Sequence, residues 1–216
     1  MKPIFSFGET VKGYDIPVLN EREIRAAAGI LFVFMFLSIM LAILQAEFLM
    51  LKFALTLFMT DMLIRVLLSP RFSPSLFLGR FVVRKQTPEY VGAAQKKFAW
   101  IIGVVLSVTI FFHLVVFNGI SPITGIVCMI CLLFLFFETA FGICLGCKFY
   151  SLVYKNQAQY CPGEVCELKD RQDIQKISRA QYWMLFAFVV YTLLIITVFH
   201  DTFSQMPNDI FGIGLE

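Results

Sequence analysis

Charged residues are scarce in this sequence. Only 15% of its 216 residues are Asp, Glu, Lys or Arg, whereas a soluble domain carries about 25%. The chain also lacks a glycine-rich phosphate loop, a serine nucleophile motif and a nucleic-acid-binding motif, so we expect no activity of those classes. Its two histidines, His113 and His200, have no partner at ligand spacing, and we interpret both as packing or interfacial residues.

Apolar residues take the place of the missing charge. Hydrophobic residues make up 59% of the chain, 25 residues are Phe, and the mean hydropathy is +0.79. Five apolar runs are long enough to cross a bilayer, and in lipid each must be helical because unpaired backbone groups are too costly there. Their approximate bounds are 24–45, 48–68, 98–117, 122–143 and 182–200. We predict an all-α polytopic membrane protein, a single domain over residues 1–216 with a bundle of about five transmembrane helices.

The basic residues predict the orientation of the bundle, because Lys and Arg accumulate in cytoplasmic loops. Of the 18 basic residues, 16 lie before or at the start of the first span, in loop 69–97, or in loop 144–181 with its flank. We therefore predict a cytoplasmic N-terminus with both loops in the cytoplasm. Thiols are kept reduced there, so a permanent disulfide frame is disfavoured.

All six cysteines fall within residues 128–166. Cys144 and Cys147 follow the fourth apolar run at a C-x-x-C spacing, which we place at the C-terminal end of a helix, where the dipole disfavours a thiolate. Cys161 precedes Pro162, a residue suited to the first position of a helix, so we expect Cys161 to be a cap residue and a better candidate for the attacking thiol than the Cys144–Cys147 pair.

Three interpretations of these four cysteines remain open. One is thiol–disulfide or persulfide exchange, and the second is a Cys₄ metal site, with zinc as the metal. The third is that the cysteines are unlinked small residues at an interface. Cys128 and Cys131 lie within the fourth span, where we interpret them as small helix-packing residues.

Three charges lie inside the predicted spans. Asp61 and Arg65 are four residues apart on the second span, and Glu138 lies on the fourth. One interpretation is a structural network of all three that holds the two spans together. The other is a polar cavity that assists proton movement near the thiols. Cys131, Glu138 and Cys144 are spaced to line one seam of the fourth span.

Four segments resemble a known family in their order along the chain. They are LNEREIRAAAG (19–29), TDMLIRVLLSPRFSP (60–74), QKKFAWIIG (95–103) and FETAFGICLGCKFY (137–150). They are similar to the bacterial membrane family catalogued as domain of unknown function 4395. This resemblance implies a bacterial inner-membrane protein with a C-x-x-C motif at a helix end, associated with thioredoxin-like or sulfurtransferase proteins.

The function we expect is a membrane-anchored thiol module that exchanges electrons or sulfane sulfur with a soluble thioredoxin-like or sulfurtransferase partner. Its working pairs are Cys144 with Cys147 and Cys161 with Cys166, and we expect no cofactor in this case. Two alternatives remain: a small transporter for a sulfur species or an ion, and a membrane scaffold with a structural zinc site.

Overall fold

The computed structural model describes residues 7–147, 150 and 178–209. Helices dominate this part of the chain, and four short strands pair the segments between them. The helices are α1 (Glu21–Gln45), α2 (Leu49–Leu63), α3 (Pro74–Val83), α4 (Ala93–Phe111), α5 (Pro122–Phe141), α6 (Arg179–Val198) and α7 (His200–Ser204). The strands are β1 (Val18–Asn20), β2 (Tyr90–Gly92), β3 (Gly119–Ile120) and β4 (Asn208–Asp209).

Four helical segments are long and apolar enough to cross a membrane: α1, α4 with its π-helical continuation to Val116, α5 and α6. The second predicted span is occupied by α2 and a π-helical turn, Ile64–Leu68, that continues it. The protein is thus an all-α polytopic membrane bundle. The count of about five spans and the cytoplasmic N-terminus stay predictions.

Helix ends follow the local sequence. The Ser121 side chain accepts a hydrogen bond from the Thr124 backbone N–H, and Pro122 occupies the first turn of α5. At the other end of α5, Gly142 takes a left-handed conformation with φ of 64°. Ser73 caps α3 in the same way as Ser121, again with Pro at the start of the helix. The helix ends are therefore built from ordinary capping chemistry.

The bundle has an apolar exterior, and its interior combines an apolar core with buried ionisable side chains. Leu44, Leu67 and Trp183 are 77%, 74% and 71% exposed, as residues that face lipid should be. Ionisable side chains are buried among the apolar ones, and Arg65 and Lys96 are among the largest side chains that are completely enclosed. Charges at membrane depth normally face protein and find partners, so this distribution is the one expected of a membrane protein.

The centre of the bundle is α1, which packs against α3, α5 and α2, while α4 packs against α2 and α5. The segment between α2 and α4 is folded back onto α1. Its strand β2 pairs antiparallel with β1, with Leu19 opposite Val91, and its helix α3 lies directly on the first half of α1. A loop that the hydropathy pattern leaves unassigned is thereby part of the core.

The approach of α3 to α1 depends on Gly79. A Cβ at this position would overlap the carbonyl oxygen of Glu23 and lie 3.0 Å from the backbone nitrogen of Ala27. Backbone atoms cannot move aside as a flexible side chain can, so any larger residue must push the two helices apart.

We expect Gly79→Ala to lower the free energy of unfolding by about 1–3 kcal/mol, the usual cost of overpacking. The matched control is Gly125→Ala in α5, where an added Cβ meets nothing within 4 Å. Thermal unfolding of both variants in the same detergent measures the difference. Equal melting temperatures for the two variants would contradict the close α1–α3 packing.

Candidate functional site: a cysteine pair beside buried ion pairs

Cys144 and Cys147 lie just beyond the end of α5. Gly142 terminates that helix, and residues 145–147 begin a new helical turn. The Cys147 backbone N–H lies 3.3 Å from the Cys144 sulfur and 3.0 Å from its carbonyl oxygen. The prediction that this pair ends a helix is therefore wrong, because the left-handed glycine separates it from α5. The sulfur of Cys144 thus accepts a hydrogen bond from the backbone N–H of Cys147.

The Cys144 and Cys147 thiols are both buried. A hydrogen bond between the Cys147 thiol and the Cys144 side chain raises the pKa of the Cys147 thiol well above its ordinary value, and burial raises that pKa further. Negative charge on Cys144 acts in the same direction, while the Lys96 ammonium opposes it. Cys147 therefore keeps its proton in the resting pair and can donate it to the Cys144 sulfur.

Lys96, at the start of α4, supplies the positive charge of the site. Its side chain is completely buried, and Nζ lies 2.7 Å from Oε2 of Glu21 and 2.8 Å from Oε1 of Glu138. The two carboxylates come from the first residue of α1 and the last turn of α5. One ammonium thus connects three helices and serves two carboxylates beside the thiol pair.

A small cavity of about 50 Å³ lies between α2, α4 and α5, next to the cysteine pair. Its polar and sulfur-containing wall is formed by Arg65, Trp100, Cys131, Glu138 and Cys144. The indole Nε1 of Trp100 is buried and donates to no atom of the described residues. The cavity has room for a few molecules of the size of water, and its wall combines a thiol, a cation and a hydrogen-bond donor.

Asp61 and Arg65 form a second buried network. Arg65 Nε donates to Asp61 Oδ2 at 2.9 Å, and Arg65 also donates to the hydroxyls of Ser73 and Ser75. Ser73 and Ser75 donate in turn to the Asp61 carboxylate at 2.7 and 2.6 Å. This network ties the end of α2 to the start of α3.

Among the described residues, Glu138 does not join the Asp61–Arg65 network. The predicted network of three residues is therefore wrong, and only Asp61 and Arg65 of the three belong to it. Glu138 pairs with Lys96, because that ammonium reaches it from α4. The two networks nevertheless meet at the cavity: the Arg65 guanidinium carbon lies 5.1 Å from the centre of the Trp100 ring. Cys131, Glu138 and Cys144, expected on one seam, all line this cavity.

The second cysteine pair, Cys161 and Cys166, lies outside the described residues, as does most of the predicted loop 144–181. Within residues 7–147, 150 and 178–209, no group of three or more His, Cys, Asp or Glu side chains could hold a metal. The described part of the chain supplies two of the four predicted zinc ligands, so the Cys₄ site stays a prediction. Cys128 is buried inside α5 and free.

Three residues of the site were not identified from the sequence: Glu21, Lys96 and Trp100. Lys96 was counted only as a loop charge that orients the protein, and Glu21 lies in the acidic first turn of α1. For Glu21 and Lys96 a signal was present in the sequence, since each lies just before a long apolar run, whereas Trp100 lies within one. A charge at that place can reach into the bundle from the end of its own helix.

Residues 19–155 match the profile of a family described as a domain of unknown function, DUF4395. The chain belongs to this family. The matched range includes both ion-pair networks, the cavity and the Cys144–Cys147 pair, whereas Cys161, Cys166 and α6 lie beyond it. Comparisons with curated proteins and with solved structures return no match.

We expect Lys96→Met to lower the free energy of unfolding by about 3–5 kcal/mol, because two buried carboxylates lose their cation. The control is Lys97→Met, since Lys97 is exposed and its Nζ lies over the Phe7 ring, 5.1 Å from the ring centre. Thermal unfolding in detergent measures both. Comparable stability of the two variants would show that the ion pairs do not hold the three helix ends together.

We expect the two thiols to react with iodoacetamide at different rates. Cys147 should stay largely unmodified up to pH 9, because its raised pKa keeps it protonated, and Cys144 should react first. In Cys144→Ala the hydrogen bond is lost, so Cys147 should react faster at pH 9. Peptide mass spectrometry measures both rates, and faster alkylation of Cys147 in the unmodified protein would contradict the assignment.

Proposed function

We propose that the protein is a membrane-anchored thiol module that exchanges a disulfide or a sulfane sulfur with a soluble partner. The observation that carries this proposal is the pairing of Cys144 with Cys147 beside a buried ammonium, with Cys144 on the wall of a cavity. Packing alone does not require two adjacent cysteines, one accepting a hydrogen bond from the backbone N–H of the other, next to the charged triad of Lys96, Glu21 and Glu138. Thiol exchange uses a second thiol within reach and a nearby cation that stabilises thiolate charge, and both are present here.

In the disulfide reaction, the Cys144 thiolate attacks one sulfur of the partner's disulfide. That S–S bond breaks, its electron pair leaves with the other partner sulfur, and a mixed disulfide forms. Cys147 then gives up its proton and attacks the Cys144 sulfur, which closes the Cys144–Cys147 disulfide and releases the second partner thiolate. Two electrons pass from the protein to the partner, and the reverse sequence passes them back.

In the sulfur-transfer reaction, the Cys144 thiolate attacks the outer sulfur of a persulfide R–S–SH. The S–S bond of the donor breaks, R–S⁻ leaves, and Cys144 carries the transferred sulfur as a persulfide. The cavity beside Cys144 has room for this additional atom, and the Trp100 Nε1–H and the Arg65 guanidinium are available to it.

Lys96 and Glu138 have distinct roles in this scheme. The Lys96 ammonium stabilises negative charge on the sulfur of Cys144, which lies within its electrostatic reach. Glu138 shares that ammonium with Glu21, lines the cavity and is the partly exposed member of the triad. It is therefore the group best placed to accept the proton that Cys147 releases.

We place the protein in the bacterial inner membrane, with the cysteine pair at the cytoplasmic side. The distribution of basic residues supports this orientation, since 16 of 18 lie in segments on one side of the predicted spans. A thioredoxin-like or sulfurtransferase protein from the cytosol is the partner that this chemistry suits.

A transporter of a sulfur species or an ion is the second candidate. The feature that favours it is the cavity itself, which lies among α2, α4 and α5 and carries Glu138 and Arg65 on its wall. Uptake of a sulfur anion by vesicles, lost in Glu138→Gln, would support transport over thiol exchange.

The test of the thiol module is a redox titration of the purified protein in which Cys161 and Cys166 are both replaced by Ser. We expect Cys144 and Cys147 to interconvert reversibly between two thiols and one disulfide, and Cys147→Ser to trap a mixed disulfide with thioredoxin. Differential alkylation with mass spectrometry measures both, and Cys128→Ser is the matched control. Zinc analysis uses the protein with all of its cysteines, because the Ser replacements remove two of the four predicted zinc ligands. About one zinc per chain in that protein, with no cycling of Cys144 and Cys147, would support the metal scaffold instead.

A further inference from the structure

An open polar pocket of about 430 Å³ lies away from the cysteine pair, between α1, the end of α3 and the end of α5. Its polar wall consists of Arg22, Arg25, Gln86, Glu89 and Thr139. Two arginines face one carboxylate there, so the pocket carries a net positive charge. An anion is the ligand that such a wall favours.

Arg25 is the exceptional side chain of this pocket. Each of the five other arginines between residues 22 and 84 lies against a carboxylate or an aromatic ring. Arg25 is half-buried, yet it makes no hydrogen bond or ion pair with any residue in the described part of the chain. Its guanidinium lies against Gly142, where an added Cβ would be 3.0 Å from Nη1. A guanidinium in this setting has donors to offer to a ligand.

The depth of Arg25 identifies the kind of anion. The twenty residues that follow it in α1, residues 26–45, contain no charge. At 1.5 Å per residue they extend about 30 Å, which is the thickness of the hydrocarbon core of a bilayer. Arg25 therefore lies at the boundary between hydrocarbon and headgroups, where lipid phosphates are concentrated.

The neighbouring groups suit a phosphate ester. A guanidinium donates two parallel hydrogen bonds to phosphate oxygens, and Arg22 brings a second cation to the same pocket. The Thr139 hydroxyl and the Gln86 side-chain amide are further polar groups on the wall. Apolar residues Ala26 and Val83 complete the lining, as expected where a headgroup meets its acyl chains.

We propose that this pocket binds the phosphate of an anionic phospholipid, with Arg25 as the principal donor. The proposal is independent of the thiol chemistry, because the pocket shares no residue with the cavity beside Cys144. Since its walls come from α1, α3 and α5, a bound lipid connects the folded-back segment between α2 and α4 to the bundle.

The experiment titrates the detergent-solubilised full chain with phosphatidylglycerol and, separately, with phosphatidylcholine, and counts bound lipids by native mass spectrometry. We expect Arg25→Gln to weaken phosphatidylglycerol binding about tenfold, the loss expected when charge-assisted hydrogen bonds disappear. Lys85→Gln is the matched control, because Lys85 is an exposed cation of the same region that does not line the pocket.

Arg25→Lys keeps the charge and loses only the forked geometry, so it tests the site even if Arg25→Gln unfolds. We expect an intermediate loss for this variant. Equal weakening by Arg25→Gln and Lys85→Gln, or equal binding of the two lipids, would overturn the proposal. So would competition by millimolar inorganic phosphate, which would identify a soluble phosphate as the ligand.

Discussion

The buried ammonium of Lys96 is the point on which the arrangement of the site depends. It lies between Glu21 at the start of α1 and Glu138 at the end of α5, and it comes from the start of α4. A charge so enclosed is tolerable only with partners in good geometry, and each partner here belongs to a different helix. One side chain therefore holds three helix ends in register. One of these is the end of α5, and the turn that carries Cys144 and Cys147 comes directly after it.

The same physical rule builds the second network. Arg65 and Asp61 are enclosed at the end of α2, and the hydroxyls of Ser73 and Ser75 satisfy their remaining hydrogen-bonding groups. These serines lie at the start of α3, so the ion pair holds in place a segment that would otherwise be a loop. Because the exterior of the bundle is apolar, such interior contacts supply the specificity that packing against lipid cannot.

The two networks meet at the cavity, where the Trp100 ring lies beneath the Arg65 guanidinium and Cys144 forms part of the wall. This meeting is the arrangement on which the proposed thiol chemistry rests. A thiol pair, a cation that favours a thiolate and a partly exposed carboxylate are brought within one small volume. The pocket around Arg25 lies outside this volume.

Composition and periodicity were sufficient to identify an all-α membrane bundle, the positions of its apolar helices and the Asp61–Arg65 pair. Those features are local, since they depend on runs of apolar residues and on spacings of four residues within one helix. Tertiary structure alone decided that Glu138 pairs with Lys96 rather than with Arg65, because that contact joins residues 42 positions apart. It also decided that Cys144 follows a break at Gly142, since whether a glycine ends a helix depends on what packs around it. Long-range pairing of buried charges is invisible to a local pattern, and here it determines the site.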